Sequence, residues 1–234
     1  VNCTRSGSFN YSGFILLAGN DGNVRKFPFS SDYIVGEPSA TISNEDLNVV
    51  YRGIDHKFSI SVPGVAAENI SVRVSGATVQ KTSGGKFIIR PTQDGEINIA
   101  VYAKVEGKEI LMGNNSYRVR YLPDPKAYLQ YSDAGGITRL IQDGSLNKRM
   151  LRGDNVAIVA SYGEDELIQA KFNVISFAML TVFGSVETSG SRLSNRQLSD
   201  IERLEGGDYI TFKNIKAVGP DGKVRNLGLI QVQI

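Results

Sequence analysis

The chain has 234 residues, enough for one large or two ordinary domains, and its 41% hydrophobic and 21% charged content is ordinary for a globular protein. Its net charge of +2 is spread evenly and lacks the basic surplus that nucleic-acid binding requires, so we expect no nucleic-acid partner. Cys3 is the single cysteine and His56 the single histidine, which excludes an internal disulfide and a zinc site built on Cys and His.

Residues 1–36 are predicted to be the C-terminal remnant of a preceding β domain. An apolar run at 11–18, a turn signal at 20–23 and a second run at 24–29 indicate a β-hairpin. Two strands alone are marginally stable in water. The hairpin therefore packs on the next domain, or completes a sheet with upstream sequence or a partner chain, and we favour the last two. The chain begins at Val1 rather than Met, so we expect a fragment of a longer protein.

Residues 37–122 are predicted to form an immunoglobulin-like β-sandwich. About seven or eight short strands, separated by turn residues, follow one another in this part of the sequence. The runs 47–51 and 57–62 flank a turn at 52–55, which we interpret as a hairpin turn. In the second run apolar residues alternate with serines, which is the period of a half-buried strand.

Residues 123–126 are predicted to be a short, proline-rich linker between two domains. Pro123 and Pro125 each fix their own φ and restrict the preceding residue to extended geometry. A linker this short and stiff limits how the flanking domains can swing, which suits a rod more than a flexible string.

Residues 127–234 are predicted to form a C-terminal β-sandwich that carries one short helix at 194–204. Ser194 is the predicted N-cap and Gln197 stands three residues later, which is the spacing of a capping box. The predicted fold class is therefore all-β, with tandem immunoglobulin-like sandwich domains of which the last carries the helix. Its strands are expected at 127–131, 156–161, 169–182, 209–217 and 224–233.

We predict no catalytic residue, no cofactor and no metal site, and hence a protein that is not an enzyme. His56 stands beside Asp55, a pairing that acid–base chemistry uses, but its place in a predicted turn indicates a solvent-exposed turn residue. No Gly-x-Ser-x-Gly nucleophile turn is present. The acidic run at 164–166 is too short for the alternating oxygen ligands of a calcium loop, and we interpret it as a solvated loop.

Six basic residues of the last domain are the candidates for contact with a partner. Three form a small cluster suited to an acidic partner surface, and three belong to the helix and its approach. The alternatives are a solvated loop and a helix that only covers the sandwich core. The six are Lys148, Arg149, Arg152, Arg192, Arg196 and Arg203.

Three phrases of the sequence stand out when they are read together. They are IVGEPSATIS followed by NVVYRGIDHKFSISVPG within 34–64, LPDP at 122–125 and ITFKNIKAVGPDGKVRNL at 210–227. In these phrases the chain resembles the M component of gliding motility and type IX secretion, the GldM/PorM family, and most closely its PorM branch. The resemblance covers essentially the whole chain.

The resemblance implies a structural role in the periplasm of Bacteroidetes. In that family an upstream helix, outside this sequence, anchors the protein in the inner membrane, and the long periplasmic portion is a homodimer. With the multi-pass L component it makes a proton-driven motor, and its arm passes motion to the lipoprotein ring at the outer membrane, formed by the K and N components. This chain would be the distal arm, which contacts the ring through its C-terminal domain. The family offers no catalytic residues to carry over.

A second hypothesis is an adhesin-like tandem Ig-fold module that binds a surface ligand. The two hypotheses differ in the sequence that precedes Val1. A membrane helix there favours the motor, whereas a cleaved signal peptide followed by more β repeats favours the adhesin.

Overall fold

The computed structural model of the chain describes residues 7–18, 23–35, 41–43, 48–105, 107–153, 155–163 and 168–234. Within these ranges the chain consists of β-strands, one α-helix and two short 3₁₀ helices, Ala67–Asn69 and Lys148–Arg152, which confirms the predicted all-β class of tandem sandwiches with a helix in the last one. Within these described ranges, no helix combines the length and the apolar character needed to cross a membrane.

A long β-hairpin comes first and forms a two-stranded sheet of its own. It consists of β1 (Gly7–Ala18) and β2 (Val24–Val35), and among the described residues no other strand pairs with either. The register places Phe9 opposite Tyr33 and Ile15 opposite Phe27, so one face carries a stripe of aromatic and aliphatic side chains. This stripe is largely uncovered, since Ile15 is 59% exposed.

The first unit, residues 41–121, is a sandwich of two four-stranded sheets. One sheet has the strand order β3-β5-β8-β7 and the other β4-β10-β9-β6, with β4 parallel to β10 and all other pairs antiparallel. Its strands are β3 (Thr41–Ser43), β4 (Val49–Tyr51), β5 (His56–Ser61), β6 (Ile70–Val74), β7 (Ala77–Lys81), β8 (Lys86–Pro91), β9 (Gly95–Val105) and β10 (Lys108–Arg120).

The turn at 52–55 connects the two sheets of the first unit, so its interpretation as a hairpin turn is wrong. Strand β4 pairs with β10 in one sheet, whereas β5 pairs with β3 and β8 in the other. The chain crosses between sheets because Val50 and Phe58 enter the same core from its two sides. The alternation of apolar residues with serines is nevertheless correct, since Phe58 and Ile60 are buried.

The second unit, residues 126–234, packs a three-stranded sheet, β12-β11-β14, against a six-stranded one. The larger sheet has the order β13-β19-β17-β15-β16, with β18 also paired to β17. Strands β12, β13 and β16 have no predicted counterpart, and the predicted strand at 224–233 is two strands. The strands are β11 (Lys126–Ser132), β12 (Thr138–Ile141), β13 (Asp143–Ser145), β14 (Ala157–Ser161), β15 (Asn173–Thr181), β16 (Gly184–Ser189), β17 (Tyr209–Val218), β18 (Val224–Asn226) and β19 (Ile230–Gln233).

Helix α1 (Asn195–Arg203) begins with the predicted capping box, in which Ser194 and Gln197 exchange side-chain and backbone hydrogen bonds. Gln197 is fully buried and also binds the edge strand β16. Its Nε2 donates to the Val186 carbonyl at 3.0 Å, and its Oε1 accepts from Thr188 Oγ1 at 2.9 Å. The helix therefore covers this edge of the larger sheet, which would otherwise be open to pairing with another chain.

Each unit has its own hydrophobic core. In the second unit Phe177 and Phe212 meet edge to face, with ring centroids 5.9 Å apart, and both are buried. Ile201 of α1 packs into the same core. The two cores are separate, so the relation between the units depends on residues 121–125 and on the loops that face them.

Candidate functional site: the basic surface and the domain junction

His56 opens β5 and is half-buried, so the prediction of a solvent-exposed turn residue is wrong. Its Nε2 lies 2.8 Å from the Tyr51 nitrogen and 3.1 Å from the Tyr51 oxygen, and its ring stacks on that of Tyr51. The imidazole thereby bridges the ends of β4 and β5. Asp55 accepts a hydrogen bond from Arg90 Nε at 2.7 Å, which holds the pKa of the Asp55 carboxyl below its ordinary value. Both side chains hold the turn at 52–55 in place.

Metal binding finds no support in the part of the chain that the structure describes. No group of three or more His, Cys, Asp or Glu residues within it is placed to hold an ion. The acidic run at 164–166 and Cys3 lie outside the described residues.

Three of the six candidate partner-binding residues are engaged inside the second unit. Lys148 Nζ donates to the carbonyls of Glu202 and Leu204, at 3.2 and 2.7 Å, and so binds the C-terminal end of α1. Arg152 forms an ion pair with Glu202. Arg203 lies over the Phe183 ring, 4.0 Å from its centroid. These contacts join the turn at 148–152, α1 and the β15–β16 loop.

The other three candidates are exposed and lie on or beside the same elements. Arg149 stands in the turn that packs against α1, Arg192 precedes the helix, and Arg196 is in its first turn. None of them forms an ion pair with an acidic side chain in the described ranges. The structure thus brings the two predicted basic groups to one side of the second unit, where these three guanidinium groups face solvent.

The junction between the units contains an ion pair that the sequence analysis missed. Arg225 and Asp221 have fully buried side chains, and they are joined by two hydrogen bonds, Nη1 to Oδ1 at 3.0 Å and Nη2 to Oδ2 at 2.5 Å. Arg225 Nε also donates to Asp124 Oδ1 at 2.9 Å. The sequence marked LPDP and the PDGKVR turn as notable, but nothing in it shows that they meet.

The electrostatics of this pair follow from its burial. Removal from water would raise the pKa of the Asp221 carboxyl, but hydrogen bonds from Arg225 and from the backbone N–H groups of Leu122 and Lys223 outweigh it and leave the pKa below its ordinary value. The same hydrogen bond to Asp221 raises the pKa of Arg225. Both groups are therefore charged at neutral pH, and each charge offsets the cost of burying the other.

Comparison with known proteins gives the following results. The family model described as GldM third domain matches residues 39–120, and the model described as GldM C-terminal domain matches residues 123–234. No curated protein matches the chain. One solved structure, surface layer protein SbsC, domains 6–7, aligns with 83% of this chain and 97% of its own at 13% identity, and its TM-score of 0.26 is too low to carry an argument.

The two family models together cover nearly the whole chain after the hairpin, and only residues 121 and 122, at the junction of the two units, lie between them. This agrees with the resemblance found in the three sequence phrases. The chain belongs to the GldM family of gliding-motility and type IX secretion components, of which it contains the third and C-terminal domains.

Proposed function

We propose that this chain is a structural, non-enzymatic part of the periplasmic arm that links an inner-membrane motor to an outer-membrane ring and transmits motion between them. One observation carries the proposal. The third and C-terminal domain matches are separated by only two residues, and one of these, Leu122, is bound through both of its backbone polar groups by a buried ion pair of the second unit. A connection of this kind suits an element that must pass on force. The family match also favours this role over that of an adhesin-like module.

The proposed arm contacts the ring, formed by the K and N components, through its second unit. The three exposed arginines, Arg149, Arg192 and Arg196, are the proposed contact residues, because guanidinium groups without an ion pair among the described acidic side chains suit an acidic partner surface. The L component is the proposed motor partner, through an upstream part of the protein that includes the membrane anchor.

The ring contact is tested by co-purification of the ring components with the full-length protein and with a form that lacks residues 126–234. We expect the deletion to abolish co-purification, and retention of the ring components would refute the assignment. The substitution Arg196→Glu is expected to weaken ring binding and to increase its sensitivity to salt. Arg118→Glu, which reverses an exposed arginine of the first unit, is the matched control and is expected to have no effect.

The proposed arm is a homodimer, in which two copies run side by side. The uncovered aromatic stripe of the β1–β2 hairpin supports this, since Phe27 is 49% and Tyr11 48% exposed, and such a face is stable only when preceding sequence or a second copy covers it. Multi-angle light scattering of this chain and of the full periplasmic portion tests the dimer. A strict monomer for both at high concentration would refute it.

A further inference from the structure

The first unit holds Tyr121, the residue that directly follows β10. The Tyr121 hydroxyl donates to Asp94 Oδ2 at 2.5 Å, and Arg52 Nη1 donates to Oδ1 of the same carboxylate at 2.8 Å. The Arg52 backbone N–H also donates to the Arg120 carbonyl at 2.9 Å. The end of β10 is therefore tied to two neighbouring loops of its own unit.

The second unit holds the next residue, Leu122, by both of its backbone polar groups. The Leu122 N–H donates to Asp221 Oδ2 at 3.0 Å, and its carbonyl accepts from Arg225 Nη2 at 2.7 Å. Leu122 itself is only 2% exposed, so these bonds are shielded from water. The same buried ion pair that stabilises the turn at 219–223 thus binds the chain where it enters the second unit.

A hinge between domains needs at least one residue whose φ and ψ are free to change. Here the side chain of Tyr121 is bound to the first unit and the backbone of Leu122 to the second, and no residue lies between them. We infer that the junction is a fixed joint, held by the Asp221–Arg225 pair, so that the two units move as one body.

A direct contact between the two backbones supports the same inference. Gly53, in the turn at 52–55, lies so close to the turn at 219–223 that a Cβ placed on it would be 2.2 Å from the Pro220 oxygen and 2.7 Å from the Asp221 nitrogen. Lys223 Nζ also lies 5.8 Å from the centroid of the Tyr121 ring. The units therefore touch at a second place beside the connecting chain, which opposes rotation about it.

The two prolines are not what holds the joint. Pro123 and Pro125 follow Leu122, so they shape a segment that is already attached to the second unit. Tyr162 binds this segment too, because its hydroxyl donates to the Pro123 carbonyl at 2.7 Å. The stiffness that the sequence analysis ascribed to the prolines comes, on this inference, from the partners of Leu122.

The fixed joint is a property of this chain in isolation, whereas its use in transmitting motion rests on the proposed function. A test on the isolated chain can therefore fail without affecting the proposed contact with the ring. Conversely, loss of the ring contact would leave the joint in place.

The test measures the distribution of distances between two spin labels, one on each unit, by pulsed electron paramagnetic resonance. The labels are attached through Ser83→Cys and Ser189→Cys, both at exposed positions, in a Cys3→Ser background that removes the only native thiol. Labelled chain is diluted with unlabelled chain so that distances between copies do not contribute. We expect a distribution with a single narrow peak. A broad distribution, or one with several peaks, in the labelled chain with an unaltered junction would refute the fixed joint.

Three variants then test whether the contact at Gly53 or the two prolines keep the distance between the units fixed. Gly53→Ala is expected to shift or broaden the distribution, because its methyl group collides with the Pro220 backbone. Gly64→Ala is the matched control, because its φ of +75° is close to the +80° of Gly53 but its Cβ would meet nothing within 4 Å. The double variant Pro123→Ala/Pro125→Ala is expected to leave the distance unchanged. Equal effects of the two glycine variants, or broadening in the proline variant, would refute the inference.

Discussion

The substitution Arg225→Met is the sharpest test of how the junction is stabilised. It removes five hydrogen bonds, two to Asp221 and one each to Asp124, the Leu122 carbonyl and the Lys223 carbonyl. It also leaves the Asp221 carboxylate buried without its cation. Loss of one member of a buried, hydrogen-bonded ion pair typically costs about 3–5 kcal/mol of folding free energy. We expect a loss of that size in the second unit.

The double variant Arg225→Met/Asp221→Leu distinguishes the pair from its individual charges. Replacement of both members by apolar residues removes the uncompensated charge, which is often close to neutral in free energy. The N–H groups of Leu122 and Lys223 would both lose Asp221 as their acceptor; the Leu122 group is buried, and an unpaired buried group costs about 1–3 kcal/mol. The double variant should therefore be more stable than Arg225→Met and less stable than the wild type.

The assay is hydrogen–deuterium exchange with peptide resolution in increasing urea, because it reports the free energy of opening separately for each unit. Arg139→Met is the control, since Arg139 forms an exposed ion pair with Asp133 in the same unit and should lose less than about 1 kcal/mol. A loss in Arg225→Met no larger than that of this control, or a double variant less stable than the single one, would contradict the assigned role of the buried pair.

Three further predictions concern the second unit. Phe212→Ala should lower the free energy of unfolding, measured by urea denaturation, by about 3–5 kcal/mol because the ring is fully buried. Phe183→Ala, at a side chain that is 41% exposed, should lower it far less, and equal losses would contradict the assigned core. Gln197→Ala should lower the free energy of unfolding by about 1–3 kcal/mol and speed amide exchange in α1, because it leaves the Val186 carbonyl and the Thr188 hydroxyl without their partner. Unchanged exchange would argue against the role of Gln197 in the cap. The pKa of Asp221 is lowered in the folded state, so its ionised carboxylate stabilises the fold at pH values above the ordinary pKa of aspartate, about 3.9. This contribution disappears as the pH falls through the lower pKa of the folded state. The urea midpoints of the wild type and of Asp221→Asn should therefore converge in acid.

The parts of the fold that depend on neighbouring residues were predictable from the sequence. The alternation through β5 identified a half-buried strand, and the pattern of Ser194 and Gln197 identified the start of α1. Strand pairing across the turn at 52–55 was not predictable, because a tight turn joins strands of one sheet or of two and the choice depends on the core that they enclose. Strands such as β13 were not predicted, because a strand of three residues that includes Gly and Ser shows no hydrophobic periodicity.

The candidate site shows the same division between local pattern and distant contacts. The sequence identified the basic residues near 148–152 and around α1, but it did not show that Lys148 binds the end of the helix. It gave no particular role to Arg225. Its burial became visible only in the structure, since a charge is buried according to which partners surround it rather than according to its neighbours in the chain.

The all-β class, the position of helix α1, the lack of enough Cys and His for a zinc site and the resemblance to the GldM family could all be read from the sequence, because each of them depends on composition or on residues close together in the chain. The way in which the two units are joined depends instead on contacts between distant residues. Leu122 meets Asp221 and Arg225 across 99 and 103 residues, and no local pattern records such a contact. The stiffness that the prolines suggested is better explained by that buried pair, which holds the chain at the residue where one unit ends and the other begins.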